Sequence, residues 1–339
     1  MPTTQLATYL PNKSITLRRR ALAYSALVLA VFIWGINFVV VQNGINAWGD
    51  RKFTFLAIRF WIACAAYAVI LIFQHGSLTK AFTLTPKAIF HASLVGLVLA
   101  GGYGFQTWYL VDHSPVNAAF LTSTTVLWAP LLAVMFHQRV FLTTTLGAVV
   151  ALVGIALIQL HDFALWPLDL IHWFAVLAAI FFAVEILLVS RFAPSDKAIQ
   201  WTAVSCLTVA VLMTVLAILR EDWSWPADQA ASRILAVVFT GIFATAVALG
   251  LQNWAQAQEI DKLRIIDGPR AAIISTLEPV FTATFSLLLF LLGFALNEPF
   301  ATPYPVIGCF LILIGTLVSE LAAARRAQKE AKAKGELSS

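Results

Sequence analysis

The chain has 339 residues, of which 60% are hydrophobic and only 12% charged, and its mean hydropathy is +0.85. Soluble domains average about half apolar and a quarter charged, so this composition excludes a water-soluble fold and points to a polytopic membrane protein. The net charge of +5 and pI of about 9.2 are no argument for nucleic acid, because the basic residues are divided among short segments beside apolar runs.

The chain opens with a basic tail, residues 1–20, ending in Arg18, Arg19 and Arg20. About 22 apolar-rich residues follow, too many for a secretory signal core, so they are expected to stay as a first transmembrane helix. Further runs long enough to cross a bilayer begin near residues 54, 90, 116, 140, 168, 200, 233, 271 and 304. The expected fold is all-α and polytopic, with ten transmembrane helices. His113–Ser114–Pro115 and His137–Gln138–Arg139 are read as tight turns between antiparallel helices. Residues 323–339 form a second basic tail, expected to be a solvated helical extension.

Charge placement fixes the expected orientation. With the N-terminus in the cytoplasm, only Arg51, Lys52, Arg220 and Arg233 fall in outer segments, and Arg59 falls within a span. Every other lysine and arginine lies inside, a strong positive-inside bias. Both tails are then cytoplasmic in a multi-pass protein of the cytoplasmic (inner) membrane. Trp223 and Trp225 fit an outer interfacial anchor.

Two internal matches suggest duplication. Residues 104–108 read GFQTW and residues 250–254 read GLQNW. Gly147 and Gly154 of LGAVVALVG correspond without a gap to Gly308 and Gly315 of IGCFLILIG. The first pair falls at the third and eighth spans, the second at the fifth and tenth. Five helices is an odd number, so the halves, residues 21–160 and 161–322, would insert with inverted topology, a construction common in secondary transporters. Substrate is then expected between the halves near the midplane.

Within the twin pentapeptides, residues two apart point about 200° apart on a helix. The small pairs Ala100–Gly104 and Ala246–Gly250 are expected to permit close helix approach, with Trp108 and Trp254 continuing that stripe toward opposite membrane surfaces. Gln106 and Gln252 lie on the other side. An unpaired amide facing lipid is costly, so both should point into protein or cavity.

These features resemble the EamA family of the drug/metabolite transporter superfamily. Trp34-Gly35-Ile36-Asn37-Phe38 is similar to the family's WG-x-NF stretch, Arg59-Phe60 to its second-helix motif, and Leu277-Glu278-Pro279-Val280 to its LEPV. Asn297-Glu298-Pro299 stands where the family usually has GE. The first repeat departs from the pattern, with His137-Gln138-Arg139 in place of Gly-Glu-Arg, and the loop at 259–269 is longer than usual. The resemblance implies a carrier of small metabolites, often an exporter, in the cytoplasmic membrane.

Polar residues inside spans mark candidate sites, since a charge at the bilayer centre costs about 2.5–3.5 kcal/mol or more. Superposing the sixth helix on the first places Phe182 on Trp34 and Glu185 on Asn37, and Trp34 and Asn37 join the cavity candidates. Glu185 either faces a cavity, contacting substrate or carrying a coupling proton, or reaches the surface or Arg191. Glu278, beside Pro279, either lines a site at a helix break or bonds to backbone or a loop arginine. Arg59 either snorkels to the outer surface, makes a structural pair, or binds an anionic group. Glu298 is expected at the outer interface.

Cys64, Cys206 and Cys309 lie in apolar runs without disulfide or zinc spacing, and no metal or other cofactor is expected. The chain also lacks a Walker glycine loop and the common hydrolase motifs. The expected function is secondary transport of a small organic metabolite, amino-acid-like or drug-like, by alternating access, with efflux leading and uptake as the alternative. A lipid-acting membrane enzyme is the rival class, and a non-transporting scaffold a third. The expected partners are substrate and the lipid bilayer, with a homodimer left open.

Overall fold

Lipid offers no hydrogen bonds, so an apolar chain that crosses it must close its backbone bonds internally, as helices do. The computed structural model describes residues 13–49, 51–112, 118, 121–135, 140–159, 170–222, 230–260, 263–293 and 303–336. Among them, eight helical stretches are long and apolar enough to cross a membrane. They lie within Lys13–Trp48, Lys52–His75, Pro86–Asp112, Leu170–Phe192, Ala198–Arg220, Ala230–Ala257, Gly268–Leu291 and Pro303–Glu336. Two shorter apolar helices, Leu121–Ala133 and Leu142–Ile158, come between the third and fourth of these. The chain is therefore an all-α, polytopic membrane protein. Large apolar side chains such as Phe73, Leu142, Leu170 and Met135 stay exposed on its outside, as a lipid-facing surface requires. The turns expected at 113–115 and 137–139, and Trp223, Trp225 and Glu298, lie outside the described residues.

Two of the rods are interrupted. Ala230–Phe239 passes into a π-helical stretch, Thr240–Val247, and then into Ala248–Ala257. Gly268–Ser275 ends in a turn at Thr276 and Leu277, and a new helix starts at Glu278 with Pro279 in its first turn. Proline is well tolerated there, where its missing N–H removes no helical bond. The Glu-Pro pair thus starts a second helical segment.

Glycines set the closest helix approach. Helix Leu142–Gln159 runs along Pro303–Glu336, the most extensive helix contact in the fold. A Cβ added to Gly147 would lie 2.6 Å from the Gly315 carbonyl oxygen, and one on Gly315 2.5 Å from that of Gly147. Gly154 and Gly308 face each other in the same reciprocal way, with 2.5 Å from a Gly154 Cβ to the Gly308 oxygen. The glycines that match between LGAVVALVG and IGCFLILIG are therefore each other's partners across one interface.

The Ala100–Gly104 pair behaves differently from expectation. A Cβ on Gly104 meets only Met213, at 3.7 Å, whereas Gly96 abuts Ser205 and Thr208, and Gly101 and Gly102 abut the rings of Phe181 and Phe182. Helix Pro86–Asp112 thus makes its close approaches at Gly96, toward Ala198–Arg220, and at Gly101 and Gly102, toward Leu170–Phe192. Trp108 is 39% exposed, as an interfacial residue should be, and Trp254, partly buried near the end of its helix, packs against two buried apolar clusters.

The remaining contacts follow a pattern. Lys52–His75 packs on Ala198–Arg220, and Thr125–Ala133 on Gly268–Ser275. Pro86–Asp112 packs on Leu170–Phe192 and Ala198–Arg220, while the Ala230–Ala257 rod packs on Lys13–Trp48 and Lys52–His75. Thr125–Ala133 packs on Leu170–Phe192, and the Gly268–Leu291 rod on Lys13–Trp48.

Charged groups fasten the helix ends. At one end, Glu221 accepts from the Phe53 and Thr54 N–H groups, at 2.7 and 2.8 Å, and from the Thr54 hydroxyl at 2.8 Å. It caps helix Lys52–His75, which makes no side-chain cap of its own, and a carboxylate there also suits the helix dipole. At the opposite end a short hairpin pairs Glu259–Ile260 with Leu263–Arg264. From it, Arg264 donates to the carbonyls of Ser190 (2.6 Å), Ala193 (2.8 Å) and Ala257 and pairs with Glu259 at 3.2 Å. Burial lowers the Arg264 pKa, while the Glu259 charge opposes that shift. Nearby, Arg270 grips both oxygens of Glu320, at 3.1 and 2.6 Å, and Tyr24 donates to Glu320 at 2.7 Å. The loop that is long for the family resemblance therefore carries a pin joining the ends of Leu170–Phe192 and Ala248–Ala257.

Two outcomes follow from this packing. Gly154→Ala should lower Tm by about 3 °C or more, the scale of about 1–3 kcal/mol of overpacking, while Gly104→Ala should leave it unchanged or raised. Equal effects would contradict the glycine interface. Asp267 caps helix Gly268–Ser275 through the Arg270 N–H at 3.0 Å, and burial pushes its carboxyl up to about 6 from 3.8, against the pull of that N–H. The fold disfavours the ionised form, so the stability linked to the neutral form is full below about 4 and is lost as pH rises through about 6. Asp267→Asn should therefore gain thermal stability relative to the wild type between pH 5 and pH 7.5. A difference that does not change with pH would contradict this.

Candidate functional site

A cavity of about 920 Å³, its open mouth included, lies between the helices. All seven residues singled out in the sequence line it: Trp34, Asn37, Arg59, Gln106, Glu185, Gln252 and Glu278. They come from six different rods, so only the tertiary fold brings them together.

Glu185, on Leu170–Phe192, is 2% exposed. The Gln252 side-chain amide donates to both of its oxygens at 3.2 Å. Surface snorkelling and pairing with Arg191 are therefore not how Glu185 is accommodated. Its partner is the glutamine of the second pentapeptide, one of the two residues of that motif expected to hydrogen-bond inside the protein.

Glu278 opens the second segment of the broken rod. Its side chain makes no hydrogen bond or ion pair among the described residues, and it faces the cavity. Its backbone carbonyl accepts from Thr282, whose hydroxyl also donates to the Gly35 carbonyl, both at 3.0 Å. A Cβ on Gly35 would lie 2.6 Å from the Phe281 Cβ and 3.0 Å from the Glu278 carbonyl. The WG-x-NF and LEPV stretches are thus packed on one another. Glycine at 35 is what lets the first helix approach the break.

Asn37 and Gln106 supply amides. The Asn37 Oδ1 atom is buried without a hydrogen-bond partner among the described residues. Gln106 likewise makes no protein hydrogen bond among them. Buried polar atoms in folded proteins are normally satisfied, so these two are open positions for a ligand or water.

Arg59 is 3% exposed. It does not reach the surface by snorkelling. Its Nε donates to the Thr245 hydroxyl at 2.7 Å, and its guanidinium lies over the Tyr103 ring at 4.8 Å. Thr245 passes its own hydrogen to the Thr240 carbonyl five residues earlier, at 2.9 Å. The same π-helical stretch receives Trp34 Nε1 on the Ala244 carbonyl at 2.8 Å and the Tyr67 hydroxyl on the Ala246 carbonyl at 2.7 Å. Two helices therefore dock their polar side chains on this one irregular segment, and two of those side chains line the cavity.

Sequence reasoning missed the π-helical stretch, Tyr103 and Phe182 as wall residues, and the Thr122–Thr125 edge. Tyr103 and Phe182 meet edge to face with ring centroids 5.4 Å apart. The signal for Phe182 was its alignment with Trp34. The π-helix had a weaker one: Thr240 and Thr245, five apart beside Gly241, match the π-helical spacing.

The wall is thus part aromatic, part amide and hydroxyl, with two carboxylates and one guanidinium. A concave, largely apolar space with a few convergent polar groups is the usual form of a small-molecule site.

Comparison with known proteins places this geometry. Over 304 residues the chain is 26% identical to an uncharacterized transporter of Archaeoglobus fulgidus, covering 89% of this chain and 87% of the relative. A solved crystal structure superposes with a TM-score of 0.67 at 21% identity, covering 89% of this chain and 98% of the other. That likeness speaks for the fold. The model of the EamA-like transporter family matches twice, over residues 21–160 and 169–320. The chain belongs to the EamA-like transporter family, a multi-pass membrane transporter of the drug/metabolite transporter superfamily.

Proposed function

We propose that the chain is a ten-helix secondary transporter of the cytoplasmic membrane, formed by two five-helix repeats of inverted topology at 21–160 and 161–322. It moves a small organic metabolite, amino-acid-like or drug-like, by alternating access, in the direction of efflux. The family assignment favours a carrier over the lipid-acting enzyme considered above. The observation that carries the reading is the common cavity, lined by groups from both halves of the chain.

The helix contacts support the repeat. Counting the two shorter apolar helices, the main contacts of one half have counterparts when every helix is advanced by five. The third helix on the sixth matches the eighth on the first. The fourth on the sixth matches the ninth on the first. The second–seventh, fourth–ninth and fifth–tenth contacts map onto themselves, as a two-fold axis requires. Two like halves that can exchange slightly different conformations would open one site to either side in turn.

The ends support a state. With both tails cytoplasmic, as the positive-inside bias indicates, the Arg264 and Arg270–Glu320 clusters lie at the inner face. The cavity lining extends toward the other end, to Val41, Leu110 and Thr122. This fits an outward-facing form closed below by the arginine pins, and inward opening would release the Arg264 bonds to Ser190, Ala193 and Ala257.

Glu185 and Glu278 are the candidates for a coupling proton, since a carboxylate near the midplane is held by protonation, hydrogen bonds or water. Once a metabolite-release screen in overproducing cells has given a substrate, transport is measured against pH in Glu185→Gln and Glu278→Gln. At least one variant should lose about tenfold of the pH-dependent part, about 1.4 kcal/mol. Unchanged profiles in both would remove the proton role.

A further inference from the structure

Arg59 holds a charge that the fold does not neutralise. The guanidinium stays protonated in proteins, and placing it within a span is costly unless it is paired or wet. Compensation within the protein is partial. Nε is bound by Thr245, and one face rests on Tyr103. Neither terminal nitrogen makes a hydrogen bond among the described residues, and no carboxylate there pairs with Arg59. These nitrogens are also absent from the sealed, unpartnered polar atoms of the interior, so they open on the cavity that Arg59 lines. Thr245 sets the plane of the group, leaving the outer edge of the fork for a ligand.

From this geometry we infer that Arg59 is the specificity-determining residue of the cavity and selects monoanionic organic carboxylates, seated two-pronged on its terminal nitrogens. This rests on the reading of the cavity as the substrate site. A carboxylate matches the fork in shape, and its single charge balances the arginine. A phosphomonoester dianion fits less well. Among the described lining residues Arg59 is the one cation, so a second negative charge on the ligand would have no cationic partner there. Trp34, Tyr103 and Phe182 provide an aromatic wall for an apolar body.

The test is binding to the purified full chain in nanodiscs by titration calorimetry, using three matched probe pairs: benzoate and benzamide, phenylacetate and phenylacetamide, hexanoate and hexanamide. At least one carboxylate should bind tenfold or more tighter than its amide. Arg59→Gln should abolish that preference, and Arg59→Lys, which keeps the charge but loses the fork, should retain only part of it. Should Arg59→Gln not fold, Arg59→Lys and Thr245→Val carry the same readout, each expected to reduce the preference several-fold. No carboxylate preference in any pair, or a preference unchanged in the folded variants, overturns the assignment. Because binding is read without transport, failure of proton coupling at Glu185 or Glu278 leaves this result untouched. Absence of a carboxylate preference in every pair, beside measurable transport of a substrate by the same protein, refutes only the role of Arg59.

Discussion

Nothing in the hydrocarbon core of a bilayer can hydrogen-bond to a protein, so every polar group placed there must find its partner inside the bundle. Much of this fold can be derived from that constraint. The π-helical stretch offers carbonyls to Trp34 and Tyr67 and a hydroxyl to Arg59. Gln252 is spent on Glu185. At the ends, where charges are cheaper, Glu221 and Arg264 satisfy the N–H and C=O groups that helices leave open. Association of the helices does not come from hydrophobic drive, because lipid is as apolar as leucine. It comes from close packing, seen most clearly where Gly147 and Gly154 meet Gly315 and Gly308.

Four of the groups left over converge on the site. Asn37 Oδ1, the Gln106 amide, the Glu278 carboxyl and the outer edge of Arg59 are polar, lie within spans and lack a protein partner among the described residues. All border one space. A transporter has to leave polar groups incompletely satisfied if a substrate is to satisfy them in passing. The cavity is where four such groups border one space.

Much of this was legible in sequence because polarity in an apolar run is conspicuous. The positions of Asn37, Arg59, Gln106, Glu185, Gln252 and Glu278 could be read from their cost alone. The matching glycines could also be found, because a repeat writes the same small residue at the same phase. Partners were a different matter. Whether Glu185 meets Arg191 or Gln252 depends on which helix lies beside it, and no local pattern says so. The π-helix arises from contacts with two other helices. Gly104 was misjudged for the same reason, since a small residue permits close approach but does not require it. The packing of the WG-x-NF stretch on the LEPV stretch at Gly35 and Glu278 was signalled by no spacing within the chain.

Access to the cavity from each face in turn is the most direct test of the whole account. Ser275 lines the cavity and can be replaced by cysteine after Cys64, Cys206 and Cys309 are changed to alanine. A membrane-impermeant maleimide is then applied to right-side-out and inside-out vesicles. Alternating access predicts labelling of Ser275→Cys in both preparations, with Arg264→Gln raising the inside-out rate. Labelling from one face only, unchanged by Arg264→Gln, would contradict it.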